Sequence, residues 1–201
     1  MLDKETKKRI DTARDILVGK LPNPQAQVEQ ITIAMIYKFM DDMDKEADLI
    51  YDDDYSGEIA DIVTIKQYDE YINIQLYHLK FAKSGKVSQR VDDLYEVCGQ
   101  AVKSANWKFK EPKEFFEHLL RRETKKRKGK SCSRIELGSK EKITYLKELA
   151  RKKYPVEFEI FIVQPGLSNR NPSVEQLTLL AVANSYMKGK ANISLTVIGS
   201  N

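Results

Sequence analysis

The chain has 201 residues, 41% of them hydrophobic and 32% charged, with nine glycines and six prolines. That length suits one medium domain, or a domain with a short appendage, and the composition excludes a fibrous or wholly disordered chain. The net charge of +4 conceals an asymmetry: residues 41–54 (DDMDKEADLIYDDD) are acidic, while residues 121–134 (RRETKKRKGKSCSR) carry eight Lys or Arg against one Glu. Cys98 and Cys132 are the only cysteines and form no CxxC pair, which argues against a structural zinc site and for a reducing compartment. No apolar run approaches the roughly 18 residues that span a bilayer. The N-terminus is charged from its third residue, so it does not read as a signal peptide. The expectation is a soluble cytoplasmic protein with no membrane partner.

From the N-terminus, residues 3–18 place Ile10, Ala13, Leu17 and Val18 on one helical stripe, and Gly19 closes that helix. Asn23 as cap and Pro24 at the first helical position start a longer helix, with Val28, Ile31, Met35, Ile36, Phe39 and Met43 on its apolar side. The pattern predicts a helical hairpin over residues 1–48 whose apolar stripe packs on its own domain or on a partner. The run TKKRIDTARDILVGKLPNPQAQVEQITIAMIYKFMDDMD closely resembles the N-terminal helical domain of the DNA adenine methylase subunits of type I restriction systems. The resemblance implies a docking arm that contacts a protein partner and DNA. It does not imply methyl transfer: Asn23-Pro24 and Asn171-Pro172 are followed by Gln and Ser, and no Gly-rich cofactor loop is present.

After a turn-rich acidic link, YDDDYSG, residues 58–66 alternate like a strand and residues 71–81 form a second strand, with QYDE as the turn between them. Residues 90–105 read as a helix with Val91, Leu94, Tyr95, Cys98 and Val102 inward. Residues 111–123 read as another, with Pro112 near its start. A third runs over residues 139–154 with Ser139 as N-cap. Residues 156–166 (VEFEIFIVQPG) become wholly apolar, as a central buried strand does. Residues 173–189 form a helix capped by Ser173, and residues 193–199 close the chain as a strand. This order predicts an α/β domain over residues 55–201, a mixed sheet flanked by helices, of the kind found in restriction-endonuclease-like cores. The basic segment is expected to be a loop.

SGEIADIVTI, LYHLKFA, RVDDLYEVCGQAVKSANWK, HLLRRE and YPVEFEIFIVQPGLS resemble the restriction-endonuclease-like domain at the C-terminal end of some phage-defence superfamily 2 helicases. The chain has neither a Walker-type phosphate loop nor a DEAD-type box, so no helicase motor is implied. In such nuclease cores one strand supplies an acid and the next a carboxylate-x-lysine. Here Asp61 is the acid, and His78-Leu79-Lys80 puts histidine in the carboxylate position.

A strand's period of two puts Ile74, Leu76, His78 and Lys80 on one face, so Asp61, His78 and Lys80 are the candidate catalytic residues, with the Asp61 and Lys80 side chains expected to converge. Asp61, His78 and Glu58 are candidate ligands for Mg²⁺ or Mn²⁺, with imidazole favouring manganese. A histidine of near-neutral pKa is also a candidate general base. Gln100 and Lys103 on the following helix are accessory candidates. Arg121, Arg122, Lys125, Lys126, Arg127, Lys128 and Lys130 are candidate DNA contacts through phosphate neutralisation. Three bland alternatives stand beside these: a structural hairpin with Asp61 and Lys80 as a buried ion pair, a solvated face for the helix polar groups, and a solvated loop for the basic run. The histidine-x-lysine nucleophile of phospholipase D-type nucleases fits poorly, because position 85 is Gly where an acid is needed. His118 reads as structural, and Trp107 and Tyr95 as core. Two functions compete: a metal-dependent DNA endonuclease subunit of a restriction or phage-defence system, or a catalytically inactive nuclease fold that tethers a methylase or helicase partner to DNA. Homo-oligomerisation stays open.

Overall fold

In LIYD, Leu49 and Tyr51 are fully buried while Ile50 and Asp52 are partly so, the alternation of a strand facing a core. A computed structural model describes residues 47–54, 56–80, 87–126 and 131–200. The hairpin expected over residues 1–48 therefore lies outside the described residues, apart from its last two. The six strands are β1 (Leu49–Asp52), β2 (Ile62–Gln67), β3 (Ile72–Leu79), β4 (Ile135–Leu137), β5 (Val156–Ser168) and β6 (Leu195–Ser200). They form one mixed sheet in the order β4-β1-β2-β3-β5-β6. β4 with β1, β1 with β2 and β2 with β3 are antiparallel, whereas β3 with β5 and β5 with β6 are parallel. The four described helices are α1 (Asp92–Ser104), α2 (Pro112–Glu123), α3 (Lys140–Arg151) and α4 (Val174–Ala191), with a 3-10 turn at Ala105–Phe109 after α1.

A parallel neighbour requires a long crossover, and the chain from β3 to β5 supplies it through α1, α2 and α3. All four helices contribute to one core, against Leu49, Val63, Ile65, Ile74, Leu76 and Ile160 of the sheet. The opposite sheet face carries a smaller cluster of Ile62, Tyr77, Phe161 and Val163, with Tyr77 stacked on Phe161 at 4.5 Å. β5 is buried and paired on both sides, between β3 and the edge strand β6, so it is an interior strand although not at the sheet's centre. Ser139 caps α3 through the Lys142 N–H. Ser173 and Gln176 form a reciprocal capping box on α4.

The structure departs from the sequence expectation in four places. The first two residues of the acidic link, Tyr51 and Asp52, belong to β1, because Leu49 and Tyr51 fill the core between the flanking acids. β4 appears just after the basic run, paired with β1. The first expected strand begins at Ile62, not at residue 58, because residues 56–61 are drawn into a loop by buried polar contacts, the Ile59 N–H going to the Asp53 carboxylate. Tyr95 is not core: it is 62% exposed, and Val97 and Ala101 take the inward positions of α1.

Candidate metal centre

Loop 53–61 joins β1 to β2 and is organised around a buried acid. Asp53 is fully buried, and its carboxylate accepts the Ile59 N–H at 2.7 Å and the Arg122 Nε–H. Arg122 follows Phe115, Phe116 and Leu119 on the inward side of α2, which brings its guanidinium under the loop. There it donates to the carbonyl oxygens of Asp53 at 2.5 Å and Ser56 at 2.9 Å. Arg134, equally buried, donates to those of Asp52 at 3.2 Å and Asp54 at 2.9 Å. Gly57 sits in this clamp at φ +89°, where a Cβ would come within 3.3 Å of Arg122 Nη1. Its left-handed backbone favours glycine in any surroundings.

The loop so held brings one carboxylate oxygen from each of Asp54, Glu58 and Asp61 within 4.8 Å of one another. Asp61 extends the sheet by donating its N–H to the Tyr77 carbonyl, and its carboxylate accepts the Leu79 N–H at 2.7 Å. Burial pushes its pKa up to about 7; the neighbouring Glu58 and Asp54 charges add to the rise, while the Leu79 N–H opposes it. Three oxygen donors, one of them reluctant to ionise beside the other two, are the chemistry that a hard divalent cation relieves.

α1 presents its polar side to this loop. Gln100 Nε2 donates to Glu58 at 3.2 Å, so the expected accessory residue orients a cluster carboxylate. One turn earlier, Glu96 lies 2.7 Å from Lys80 Nζ. Ile72, Ile74 and Leu76 of β3 face the helices, and the period of two gives His78 the same face. His78 is buried beside a cavity of about 230 Å³ that Glu58, Gln100, Lys103 and Ser104 also line. Its Nε2 has no hydrogen-bond partner among the described residues. Burial pushes its pKa down to about 4, which keeps the imidazole neutral and far from the near-neutral value suited to a general base. The three-carboxylate group does not include His78.

A larger cleft of about 710 Å³ shares Gly57, Glu58, Ile59, Lys103 and Trp107 with that cavity and runs along α2 to His118 and Arg121. His118 packs edge-on to Trp107, and burial together with the Arg122, Arg121 and Lys125 charges lowers its pKa to about 4. Trp107 packs against the main core, as expected. Of the candidate DNA contacts, Arg121, Lys125 and Lys126 are exposed. Arg122 is not available to DNA: it is 2% exposed and committed to loop 53–61. Arg127, Lys128 and Lys130 lie outside the described residues.

Sequence reasoning missed Asp54 as a cluster member and the Asp53–Arg122–Arg134 clamp. The run Asp52-Asp53-Asp54 was visible, but nothing in it says which acid turns inward. Among the described residues, no helix is long and apolar enough to cross a membrane. Comparison with protein-family models, with curated proteins and with solved structures returns no match to the chain.

Proposed function

We propose that the chain is a metal-dependent DNA endonuclease subunit, with Asp54, Glu58 and Asp61 holding Mg²⁺ or Mn²⁺. The observation that carries this reading is the convergence of the three carboxylates beside a cavity. The topology supports it: three antiparallel strands, a helical crossover and a parallel strand are the order expected of a restriction-endonuclease-like core, with Asp61 and Lys80 at one end of adjacent strands. When bound, such an ion neutralises charge on a phosphate and lowers the pKa of its water. Asp61 anchors the cation and Glu58, oriented by Gln100, supplies the carboxylate that position 78 lacks. Lys80 offers a cation to the charge that develops on phosphate oxygens. His78, neutral and buried, shapes the cavity wall. Arg121, Lys125 and Lys126 bind the DNA backbone. A cytoplasmic restriction or phage-defence system, with a methylase or helicase partner docked through the N-terminal residues, is the setting that the two sequence resemblances favour.

A second reading, an inactive nuclease fold that tethers a partner to DNA, draws on two observations: the imidazole in place of a carboxylate, and the Lys80 ammonium held by Glu96. The purified chain incubated with supercoiled plasmid in Mn²⁺ or Mg²⁺ separates the two. The endonuclease reading expects nicking that stops with chelator and disappears in Asp61→Asn and Glu58→Gln. Absence of cutting in both metals, by a chain that still binds DNA, replaces it with the tether.

A further inference from the structure

The larger cleft begins at Glu58 of the carboxylate cluster and follows the 3-10 turn and α2 away from it. Four cations line it: Lys103 from α1, Lys110 at the end of the turn, and Lys113 and Arg121 from α2. With Glu58 given to the metal, only Glu114 and Glu117 oppose them, so the wall is net positive. Among the described residues, Lys103, Lys113 and Arg121 have no ion-pair partner. His118 reports the resulting field from within the cleft. Burial lowers its pKa first, and the charges that add most to the shift, those of Arg122, Arg121, Lys125 and Lys110, are all positive. Trp107 stands among these cations, half-buried, with the exposed Lys110 ammonium 3.8 Å from its ring centroid. That ammonium covers a ring surface that the cleft can reach.

We propose that this cleft takes an unpaired DNA strand, one base stacking on Trp107 in place of Lys110 and the flanking phosphates held by Lys103, Lys113 and Arg121. The cleft's volume of about 710 Å³ is that of a small-ligand pocket, room for about one or two nucleotides of a strand and not for a duplex. Trp107 selects the unpaired form. A base inside a duplex is already stacked and paired, so it meets an aromatic side chain only after leaving the helix. An exposed cation–π contact is weaker than base stacking, so Lys110 yields the ring and turns to phosphate. A strand laid along α2 in this way runs on to Glu58 and the carboxylate cluster. The choice of DNA rests on the endonuclease reading above, whereas the preference for an unpaired strand rests on the cleft alone.

Trp107 is the only tryptophan in the chain, so its fluorescence reports on this cleft directly. The full chain is titrated in EDTA with a non-self-complementary oligodeoxynucleotide of about ten nucleotides, within the span of a single-strand site. Quenching to saturation is expected. The same strand annealed to its complement is expected to need at least about tenfold higher concentration for equal quenching. By anisotropy of a labelled strand, Trp107→Leu is expected to weaken binding about tenfold. Lys103→Ala with Lys113→Ala is expected to lower the slope of log affinity against log salt by about 1.4, the share of two single-strand phosphates. Neither lysine is buried, so this arm holds even where Trp107→Leu perturbs the core. No quenching by the strand, equal quenching by the annealed form, or an unchanged salt slope overturns the proposal. Because the titration is metal-free, the two readings fail separately. A chain that is quenched yet never nicks plasmid loses the metal centre and keeps the strand site; one that nicks plasmid without quenching loses the strand site alone.

Discussion

Loop 53–61 and helix α4 depart from ordinary protein surfaces in opposite directions. The loop takes charge inside: Asp53, Arg122 and Arg134 are buried and spend their hydrogen bonds on the backbone that carries Asp54 and Glu58. The helix leaves hydrocarbon outside, with Val174, Leu177, Val182 and Tyr186 exposed. A buried charge costs stability unless it is paired, and an apolar strip costs solubility unless it is covered. The loop therefore points to a task beyond folding, that of holding carboxylates in place, whereas the helix strip shows only that apolar surface stays outside the core.

The largest effect expected from breaking this contrast is at the clamp. Arg122→Ala leaves Asp53 buried without its guanidinium and loop carbonyls without donors, and is expected to cost about 3–5 kcal/mol in urea denaturation. A loss below about 0.5 kcal/mol, the size of a surface substitution, would show that the loop does not depend on it.

How far the sequence foretold these regions follows from the same contrast. β2, β3 and β5 were legible because their alternating or continuous apolar runs have no rival reading, and the helix caps at Ser139 and Ser173 because their chemistry is local. β1 was hidden by the acids on either side of Leu49 and Tyr51, and β4 by its three residues. Arg122 was read with its basic neighbours, although its helical spacing from Phe115 and Leu119 turns it inward. Charge composition prevailed over periodicity in that reading, and periodicity governs the fold. Of the site, Asp61, Glu58 and Gln100 could be named in advance. Asp54 could not, since only the folded loop decides which acid of the triplet joins them.

A pH comparison sharpens the loop side. The Asp61 pKa, raised to about 7, means that the folded chain holds this proton more tightly than the unfolded one. Its contribution therefore turns unfavourable as pH rises from about 4 to about 7, and the penalty is fully present above that. Asp61→Asn is expected to stabilise the chain by roughly 1–3 kcal/mol at about pH 8 and by little at about pH 4.5. His78 acts in the opposite sense: its pKa, lowered from 6.5 to about 4, removes stability as pH falls through that interval. Denaturation of the native chain and of Asp61→Asn at both pH values separates the two groups, because the His78 contribution is common to both chains. An Asp61→Asn gain that is equal at both pH values would contradict the assigned cause.

The smallest effect on stability is expected where charge is solvated. Lys125→Ala with Lys126→Ala should change stability by less than about 0.5 kcal/mol, yet lower the slope of log affinity for duplex DNA against log salt by about 2. An unchanged slope would make these residues an ordinary solvated surface, unlike Arg122 only a few residues away.

Manganese titration followed by electron paramagnetic resonance, at about pH 8 where Asp61 is ionised, tests the central claim most directly. The account predicts a saturable site in the native chain that weakens at least about tenfold, roughly 1.4 kcal/mol, in Asp61→Asn and in Glu58→Gln. Asp52→Asn, which changes an acid beside the cluster but outside it, should leave the site intact. Native and Asp61→Asn chains that bind manganese equally, or a native chain that binds none, would contradict it.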